Sequence, residues 1–268
     1  MFITRTISGA VLLAITILMV VLGGPVLMCF LMVVSLVGMF ELYRVFGIEK
    51  KLPAYIGYAG ALALYQVIFL NRADLILAVL VMDFLLIMAV YVFTYPKFHA
   101  SEITPAFFAL VYAALMLSFI YRTREGADGA YVVWLIYISA WGSDTCAYLV
   151  GRAIGKHKMA PVLSPKKSVE GAVGGVAGAA LIGLIYAAVF QDNLTAFGNP
   201  MAACALIGAC GSLISMVGDL AASAIKRNYE IKDYGKLIPG HGGIMDRFDS
   251  IIFTAPVIFY LVQFLQTM

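Results

Sequence analysis

Charged residues are scarce in this chain. They make up 12% of its 268 residues, while 63% of the residues are hydrophobic. Soluble globular domains carry roughly 25% charged residues, so the composition excludes an ordinary soluble protein. No stretch between the apolar runs is long enough for a separate soluble domain. The sequence therefore predicts a single integral membrane domain, residues 1–268, within a lipid bilayer.

Residue patterns for soft-metal or hydrolytic chemistry are also missing. The chain has three histidines and four cysteines, and the cysteines lie in apolar runs without CxxC spacing. Such cysteines usually pack as small apolar side chains. The sequence contains no HExxH motif, no Ser-His-Asp nucleophile elbow and no P-loop. These absences argue against zinc hydrolases, serine hydrolases and P-loop nucleotide enzymes.

Apolar runs of bilayer-spanning length, about 17–25 residues, recur along the whole chain. Backbone groups inside lipid must be paired within the segment, so these runs are expected to be helices. The fold class predicted is an all-α polytopic membrane protein with about nine transmembrane helices. Residues 1–125 would be scaffold, and residues 126–268 would carry the catalytic motifs. The nine runs are 7–22, 25–46, 54–70, 73–94, 104–121, 130–151, 168–190, 200–225 and 248–267.

Basic residues predict the orientation of the chain. When the nine segments are threaded back and forth, all but Arg72, Arg122 and Arg124 of the 18 lysines and arginines fall on one side. Basic residues are held on the cytoplasmic side of membranes. We therefore expect a multi-pass protein of a bacterial-type inner or plasma membrane, with a cytoplasmic N-terminus and an external C-terminus. The polar loops 152–167 and 226–247 would form a cytoplasmic active surface.

Acidic residues inside predicted spans suggest a function, because ionised groups are costly there. Asp144 and Asp219 have matched depths on two helices, and Asp246 and Asp249 share a face if the last helix begins near them. Carboxylates suit Mg²⁺, which is commonly held by one or two of them with phosphates and water. Metal binding is the hypothesis that we favour for the four together. The alternative is salt bridges to neighbouring bases, namely Arg152, Lys226 and Arg247.

The loop 152–167 ends in a candidate phosphate-binding arrangement, with Lys166 and Lys167 just before Ser168, a candidate N-cap for the next helix. A helix N-terminus favours a phosphate, whereas anchoring at anionic lipid is the rival explanation for the two lysines. Overlapping GxxxG spacings follow and predict close helix packing. Their members are Gly171, Gly174, Gly175 and Gly178.

The stretch 223–249 reads SAIKRNYEIKDYGKLIPGHGGIMDRFD and is the most polar part of the chain. Within it, the run Ser223-x-Ile-Lys-Arg is followed by Lys-Asp-x-Gly and then by Ile-Pro-x-His-Gly-Gly-Ile-x-Asp-Arg-Phe-Asp. The whole stretch resembles, without a gap, the signature of the phosphatidate cytidylyltransferases, or CDP-diacylglycerol synthases. The upstream Ser-Asp at 143–144 and Ser-Pro-Lys-Lys at 164–167 also resemble that family. Chain length and the C-terminal position of the signature agree.

The resemblance implies an enzyme that converts CTP and phosphatidate to CDP-diacylglycerol and pyrophosphate, with Mg²⁺. Because two anions must meet in this reaction, a second cation is a further candidate. It also implies a homodimer and no nucleic-acid partner. We assign metal binding to Asp219 and Asp246 first, then to Asp144 and Asp249. The bases expected to neutralise phosphate are Lys226, Arg227 and Arg247, assisted by Lys166 and Lys167. The remaining candidate substrate-binding residues are Ser223, His241, Gly242 and Gly243.

Several alternatives remain open at this stage. His241 would either bind phosphate or stabilise its turn, and Ser223 would bind substrate or its own helix rather than act as a nucleophile. A CTP-dependent polyprenol kinase or another lipid cytidylyltransferase is the nearest rival function. An ion-coupled transporter using Asp83 with other membrane acids is a more distant one. Glu41 is expected to pair with Arg44, three residues later.

Overall fold

The chain folds as an assembly of helices. The computed structural model describes residues 2–267, with side chains from Thr6 onward. The α-helices of this part of the chain are α1 (Phe2–Leu22), α2 (Gly24–Val45), α3 (Leu52–Phe69), α4 (Ile76–Phe93), α5 (Ala100–Ala109), α6 (Met116–Arg124), α7 (Gly129–Val132), α8 (Trp134–Tyr137), α9 (Ser143–Ile154), α10 (Val169–Phe190), α11 (Pro200–Asn228) and α12 (Met245–Gln266).

Two π-helical segments and two 3₁₀ turns extend these helices. The π segments join α5 to α6 (Leu110–Leu115) and α8 to α9 (Ile138–Gly142), and the 3₁₀ turns precede α4 (Ala73–Leu75) and follow α10 (Gln191–Asn193). A π segment adds a residue to a helical turn and often occurs at functional sites. Here the second one ends directly before Ser143 and Asp144.

All nine apolar runs predicted from the sequence lie in helical structure. In the part of the chain that the structure describes, seven helical stretches are long and apolar enough to cross a membrane: Gly24–Val45, Leu52–Phe69, Ala73–Phe93, Ala100–Arg124, Val169–Asn193, Pro200–Asn228 and Met245–Gln266. The apolar part of α1, Thr6–Leu22, is shorter. The all-α polytopic membrane fold is confirmed, while the count of nine and the sides of the two termini stay predictions.

A short β-hairpin interrupts the helical pattern between α9 and α10. Strand β1 (Lys158–Ala160) pairs antiparallel with β2 (Ser164–Ser168), with Lys158 opposite Ser168 and Ala160 opposite Ser164. Proline is tolerated in such an edge position, which accommodates Pro165. The sequence predicted no strand here, because strands this short and this charged lack the alternation of apolar and polar residues that would reveal them.

The described residues pack as two compact units. The first comprises the residues up to Tyr121 together with Asp233–Arg247, and the second comprises Arg122–Lys232 together with the residues from Phe248 onward. The motif-bearing segment 233–247 thus packs with the N-terminal helices, although it is far from them in sequence. The division at residues 125 and 126 that the sequence suggested between scaffold and catalytic helices is a functional one and stays a prediction.

Close packing through glycines joins the helices of the second unit. A Cβ atom added to Gly174 would lie 2.5 Å from Val150, and one added to Gly178 would lie 2.5 Å from Cys146. Because only glycine leaves this room, α10 lies directly against α9. The packing function predicted for the GxxxG spacings is confirmed. Deeper in the unit, the hydroxyls of Ser143 and Ser212 hydrogen-bond at 2.6 Å and tie α9 to α11.

Candidate active site

The second unit contains a cavity of about 410 Å³ between α9, the β-hairpin, α10 and α11. It brings together Asp144 from α9, Lys166 and Lys167 from β2, and Asp219 from α11. Its volume is within the range typical of small-molecule sites, roughly 300–1,000 Å³. The full lining is Asp144, Ala147, Tyr148, Gly151, Arg152, Met159, Ser164, Lys166, Lys167, Ser168, Gly171, Ala172, Met216 and Asp219.

One face of α9 supplies a third of this lining. Asp144, Tyr148 and Arg152 recur every four residues, and Ala147 and Gly151 fill the same stripe. Arg152 entered the sequence analysis only as a rival salt-bridge partner, and Tyr148 received no role. Helical periodicity counted from Asp144 would have found both. The face therefore presents an acid at one end of the cavity and a base two turns further along.

Asp219 forms an ion pair with Lys167. The two side chains are 26% and 23% exposed, so neither is fully buried. The salt-bridge alternative from the sequence named Arg152, Lys226 and Arg247 but not this lysine, which lies on a hairpin that sequence reasoning missed. The pair shows that the Asp219 carboxylate faces the cavity and accepts a cation there.

Acidic charge is concentrated around Asp219. Asp249 interacts electrostatically with both Asp219 and Asp144, and also with Lys226. Carboxylates whose charges interact in this way repel one another unless a cation neutralises them. Among the residues that the structure describes, no three His, Cys, Asp or Glu side chains form a group that would hold a metal by themselves. Mg²⁺ commonly takes only one or two carboxylates and completes its shell with phosphate and water, so the oxygen-rich donor set here suits that ion.

The last two turns of α11 carry further predicted residues. Ser223 and Lys226 are partly exposed and Arg227 is exposed. They follow Asp219 by one and two turns, outside the cavity lining. The helix continues to Asn228, so Asp219, Ser223 and Lys226 lie along neighbouring parts of one face.

The junction between the hairpin and α10 is held by local hydrogen bonds. Ser168 is the N-cap, as predicted, and its hydroxyl accepts the Gly171 amide at 3.1 Å. The Val169 amide donates to the His157 carbonyl at 2.9 Å, and Glu170 accepts the His157 amide. Two first-turn amides of α10 are thus already used. A phosphate here would depend more on Lys166 and Lys167 than on the helix end, which the sequence analysis did not foresee.

The first unit contains the segment Asp233–Arg247, here called the signature loop. Asp246 is 6% exposed, and its Oδ2 accepts the amides of Tyr234 at 2.7 Å and Gly243 at 2.9 Å. Gly242 has a φ of +85°, and a Cβ there would lie 2.6 Å from the same oxygen. Asp246, the joint first choice for a metal ligand, therefore also organises the backbone of its own loop.

His241 is anchored by α1. Its Nδ1 lies 2.8 Å from the Ser8 hydroxyl, which donates to the Pro239 carbonyl at 2.8 Å. The His241 amide also donates to the Ile238 carbonyl at 2.9 Å. These contacts supply the turn-stabilising function that the sequence left open for His241, and they leave the phosphate-binding alternative a prediction. No motif signalled Ser8, which lies 233 residues from His241.

Glu41 and Arg44 contact the signature loop rather than each other. No ion pair joins these two residues, whose side chains the structure describes, so the expected pair is wrong. Glu41 accepts the amides of Ile244 at 3.1 Å and Met245 at 2.9 Å. The Arg44 guanidinium donates to the Tyr234 carbonyl at 2.6 Å. The amides of the buried residues Ile244 and Met245 compete successfully with the Arg44 side chain, which remains exposed to solvent.

Arg247 ends the signature loop with part of its hydrogen-bonding capacity unused. The side chain is partly exposed, but its Nε is buried and has no hydrogen-bond partner in the part of the chain that the structure describes. A buried guanidinium nitrogen without an acceptor is unfavourable. The arrangement suits a residue that receives an anionic ligand.

Comparison with known proteins identifies the family. The model of the Cytidylyltransferase family matches residues 3–265. The chain belongs to the cytidylyltransferase family. It is 31% identical over 257 residues to a protein named phosphatidate cytidylyltransferase from Staphylococcus haemolyticus, covering 95% of this chain and 96% of the relative. Proteins of the same name from Staphylococcus aureus (strain COL) and Staphylococcus epidermidis are 30% and 31% identical, with the same coverage. The cytidylyltransferase resemblance carried by residues 223–249 is confirmed.

Proposed function

We propose that this protein transfers the cytidylyl group of CTP to phosphatidate, forming CDP-diacylglycerol and pyrophosphate for phospholipid synthesis. The observation that carries the proposal is the cavity in which Asp144 and Asp219 face Lys166 and Lys167. A site for a nucleoside triphosphate needs acidic side chains to hold a cation and basic side chains to neutralise the phosphates. Family membership and the names of the relatives support the same reaction.

The reaction joins two anions. A phosphate oxygen of phosphatidate attacks the α-phosphorus of CTP, a new P–O bond forms, and the bond to the β-phosphate oxygen breaks as pyrophosphate leaves. Because the attacking oxygen is already ionised near neutral pH, no general base is needed. The protein must instead neutralise and align the phosphates.

Mg²⁺ is the cofactor that we propose, with Asp219 and Asp144 as its first holders in the cavity and Asp249 beside them. Asp246 of the signature loop stays a candidate metal ligand on the sequence argument. When bound, the ion would neutralise phosphate charge and help to orient the departing pyrophosphate. A second cation that would help to neutralise the two phosphates is also part of the proposal.

Different basic side chains would neutralise different phosphates of the two substrates. Lys167 would exchange its contact with Asp219 for the triphosphate, and Lys166 and Arg152 would extend the positive wall of the cavity. Lys226 and Arg227 on α11, with Arg247 in the signature loop, are the other candidates for phosphate charge. His241, Gly242 and Gly243 would shape the loop or contact phosphate, and Ser223 would hydrogen-bond substrate.

The side of the membrane and the oligomeric state belong to this proposal. The distribution of lysines and arginines supports an active surface on the cytoplasmic side, where CTP is found. A homodimer is supported by the family resemblance alone. The side of the membrane is tested by introducing single cysteines into the polar loops of the protein and labelling them in intact cells. The oligomeric state is tested by measuring the mass of the purified protein in detergent.

One experiment tests the reaction. Purified protein is incubated with labelled CTP, phosphatidate and Mg²⁺, and the lipid and soluble products are identified. We expect a CDP-lipid and pyrophosphate in equal amounts. Formation of CDP with a phosphorylated lipid would instead identify a CTP-dependent kinase, and the absence of any CTP-dependent product would contradict the proposal.

A further inference from the structure

One turn of α2 holds the signature loop at both of its ends. Glu41 is 3% exposed, and its two carboxylate oxygens each accept one backbone amide, Oε1 from Ile244 and Oε2 from Met245. Arg44, three residues later, donates to the carbonyl of Tyr234, near the start of the loop. Two side chains of an N-terminal helix thus contact the loop that carries the family signature.

The position of Glu41 has a clear physical basis. Helix α12 begins at Met245, and the first amides of a helix have no partner inside it. A carboxylate placed there satisfies those amides and interacts favourably with the helix dipole. Most helices receive such a cap from the residue just before them. Here the cap comes from α2, more than 200 residues earlier in the sequence.

The loop is shaped around the Glu41 carboxylate. A Cβ added to Gly235 would lie 2.7 Å from the Glu41 Cδ, and one added to Gly243 would lie 2.5 Å from it. Gly243 also donates its amide to Asp246. The Gly243 backbone therefore lies between two carboxylates, and no larger residue fits beside Glu41. These contacts place Glu41 one backbone unit away from a proposed metal ligand.

We propose that Glu41 is a positioning residue for cytidylyl transfer, with Arg44 supporting it. Its carboxylate holds the signature-loop backbone in the conformation from which Asp246 and Arg247 act. Glu41 touches only backbone amides and so acts through the loop rather than on substrate. The inference rests on the proposed function, and it assigns a task in the reaction to a helix that the sequence analysis considered scaffold.

The decisive variant is Glu41→Gln, because it keeps the shape of the side chain but replaces one acceptor oxygen with a donor. A donor then faces a backbone amide, so we expect kcat to fall by at least about tenfold. Hydrogen exchange of the amides in 233–247 should become faster. Glu41→Asp keeps the charge but shortens the reach, and should restore part of the loss. Asp83→Asn is the matched control, since Asp83 is equally buried, belongs to the same unit and lies against Gly60 of α3.

The possible results of these experiments either support the inference or overturn it. Wild-type turnover in Glu41→Gln, a loss of turnover without faster exchange of the loop, or an equal loss in Asp83→Asn would each overturn the inference. If Glu41→Gln does not fold, Arg44→Met decides, because Arg44 is exposed and its loss leaves the helix cap intact. Faster loop exchange and slower turnover in Arg44→Met support the inference, and wild-type values overturn it. A wild-type protein that makes no CDP-lipid contradicts only the proposed function, since the exchange comparison does not depend on activity.

Discussion

The cavity of the second unit and the signature loop of the first use carboxylates in different ways. In the cavity, Asp219 faces the ammonium group of Lys167, and Asp144 lines the same space. At the signature loop, Asp246 of the loop and Glu41 of α2 accept backbone amides. An acid in a membrane protein therefore does not reveal its task by its type alone. The two cavity acids lie beside basic side chains, whereas the two acids at the loop are bonded to backbone amides.

The largest effect should come from Asp219→Asn, which removes charge from the cavity and keeps the shape of the side chain. We expect pyrophosphate release to fall by at least about a hundredfold, because a preorganised charge at the reacting phosphates is lost. Thermal unfolding in detergent should be unchanged. Asp192→Asn, an exposed acid of the same unit, is the control and should behave as wild type. Wild-type turnover in Asp219→Asn would remove the metal assignment.

Two variants of Asp246 separate charge from backbone support. Both backbone bonds go to Oδ2, so the carbonyl oxygen of an asparagine would replace it. Asp246→Asn should keep slow hydrogen exchange in the signature loop and still lose about a hundredfold in turnover, if the charge binds metal. Asp246→Ala should lose both the slow hydrogen exchange of the signature loop and the turnover. Near-normal turnover in Asp246→Asn would assign this residue to the backbone alone.

A pair of lysine variants sharpens the description of the cavity. Lys167 contacts Asp219 and is partly exposed, whereas its neighbour Lys166 is exposed. Lys167→Met should raise the KM for CTP by about tenfold, the scale of one lost charge-assisted hydrogen bond. Lys166→Met should have a smaller effect, and the exposed Lys158→Met on β1 should have almost none. A larger rise in the KM for CTP in Lys166→Met than in Lys167→Met would contradict the arrangement in the cavity.

The smallest of these effects concerns the backbone of the signature loop. Gly242 has a positive φ and lies against the Asp246 carboxylate. Gly242→Ala should lower the stability of the loop by about 1–2 kcal/mol and increase its hydrogen exchange. Gly198 has open space around its Cα, so Gly198→Ala is the control. Equal hydrogen exchange of the signature loop in Gly242→Ala and Gly198→Ala would mean that the loop accommodates the added methyl group without losing stability.

Local patterns in the sequence predicted much of the fold. Apolar runs of the right length became helices, and the N-cap at Ser168 follows from a hydroxyl residue after a proline. The glycine spacings of α10 predicted its contact with α9. Each of these features is determined by neighbours within a few residues, so a single sequence carries the information. The predicted convergence of Asp144, Lys166, Lys167 and Asp219 also agrees with the cavity.

The features that the sequence did not reveal depend on distant partners. Nothing near Glu41 indicates that its carboxylate caps a helix that begins at Met245. The sequence therefore favours Arg44, three residues later, as its partner. Ser8 and His241 are similarly remote from each other. The hairpin that presents Lys167 to Asp219 lacks the apolar alternation of longer strands. In each case tertiary packing determines which residue becomes the partner, and the local sequence pattern does not indicate it.

Binding of Mn²⁺, a spectroscopic substitute for Mg²⁺, tests the central claim most directly. Paramagnetic resonance titrations in the presence of CTP would measure it for the wild type, Asp219→Asn and the Asp83→Asn control. We predict that the wild type and Asp83→Asn bind Mn²⁺ with CTP and that Asp219→Asn binds it at least about tenfold more weakly. Equal affinity in the wild type and Asp219→Asn would contradict the claim that the cavity carboxylates hold the cation for cytidylyl transfer.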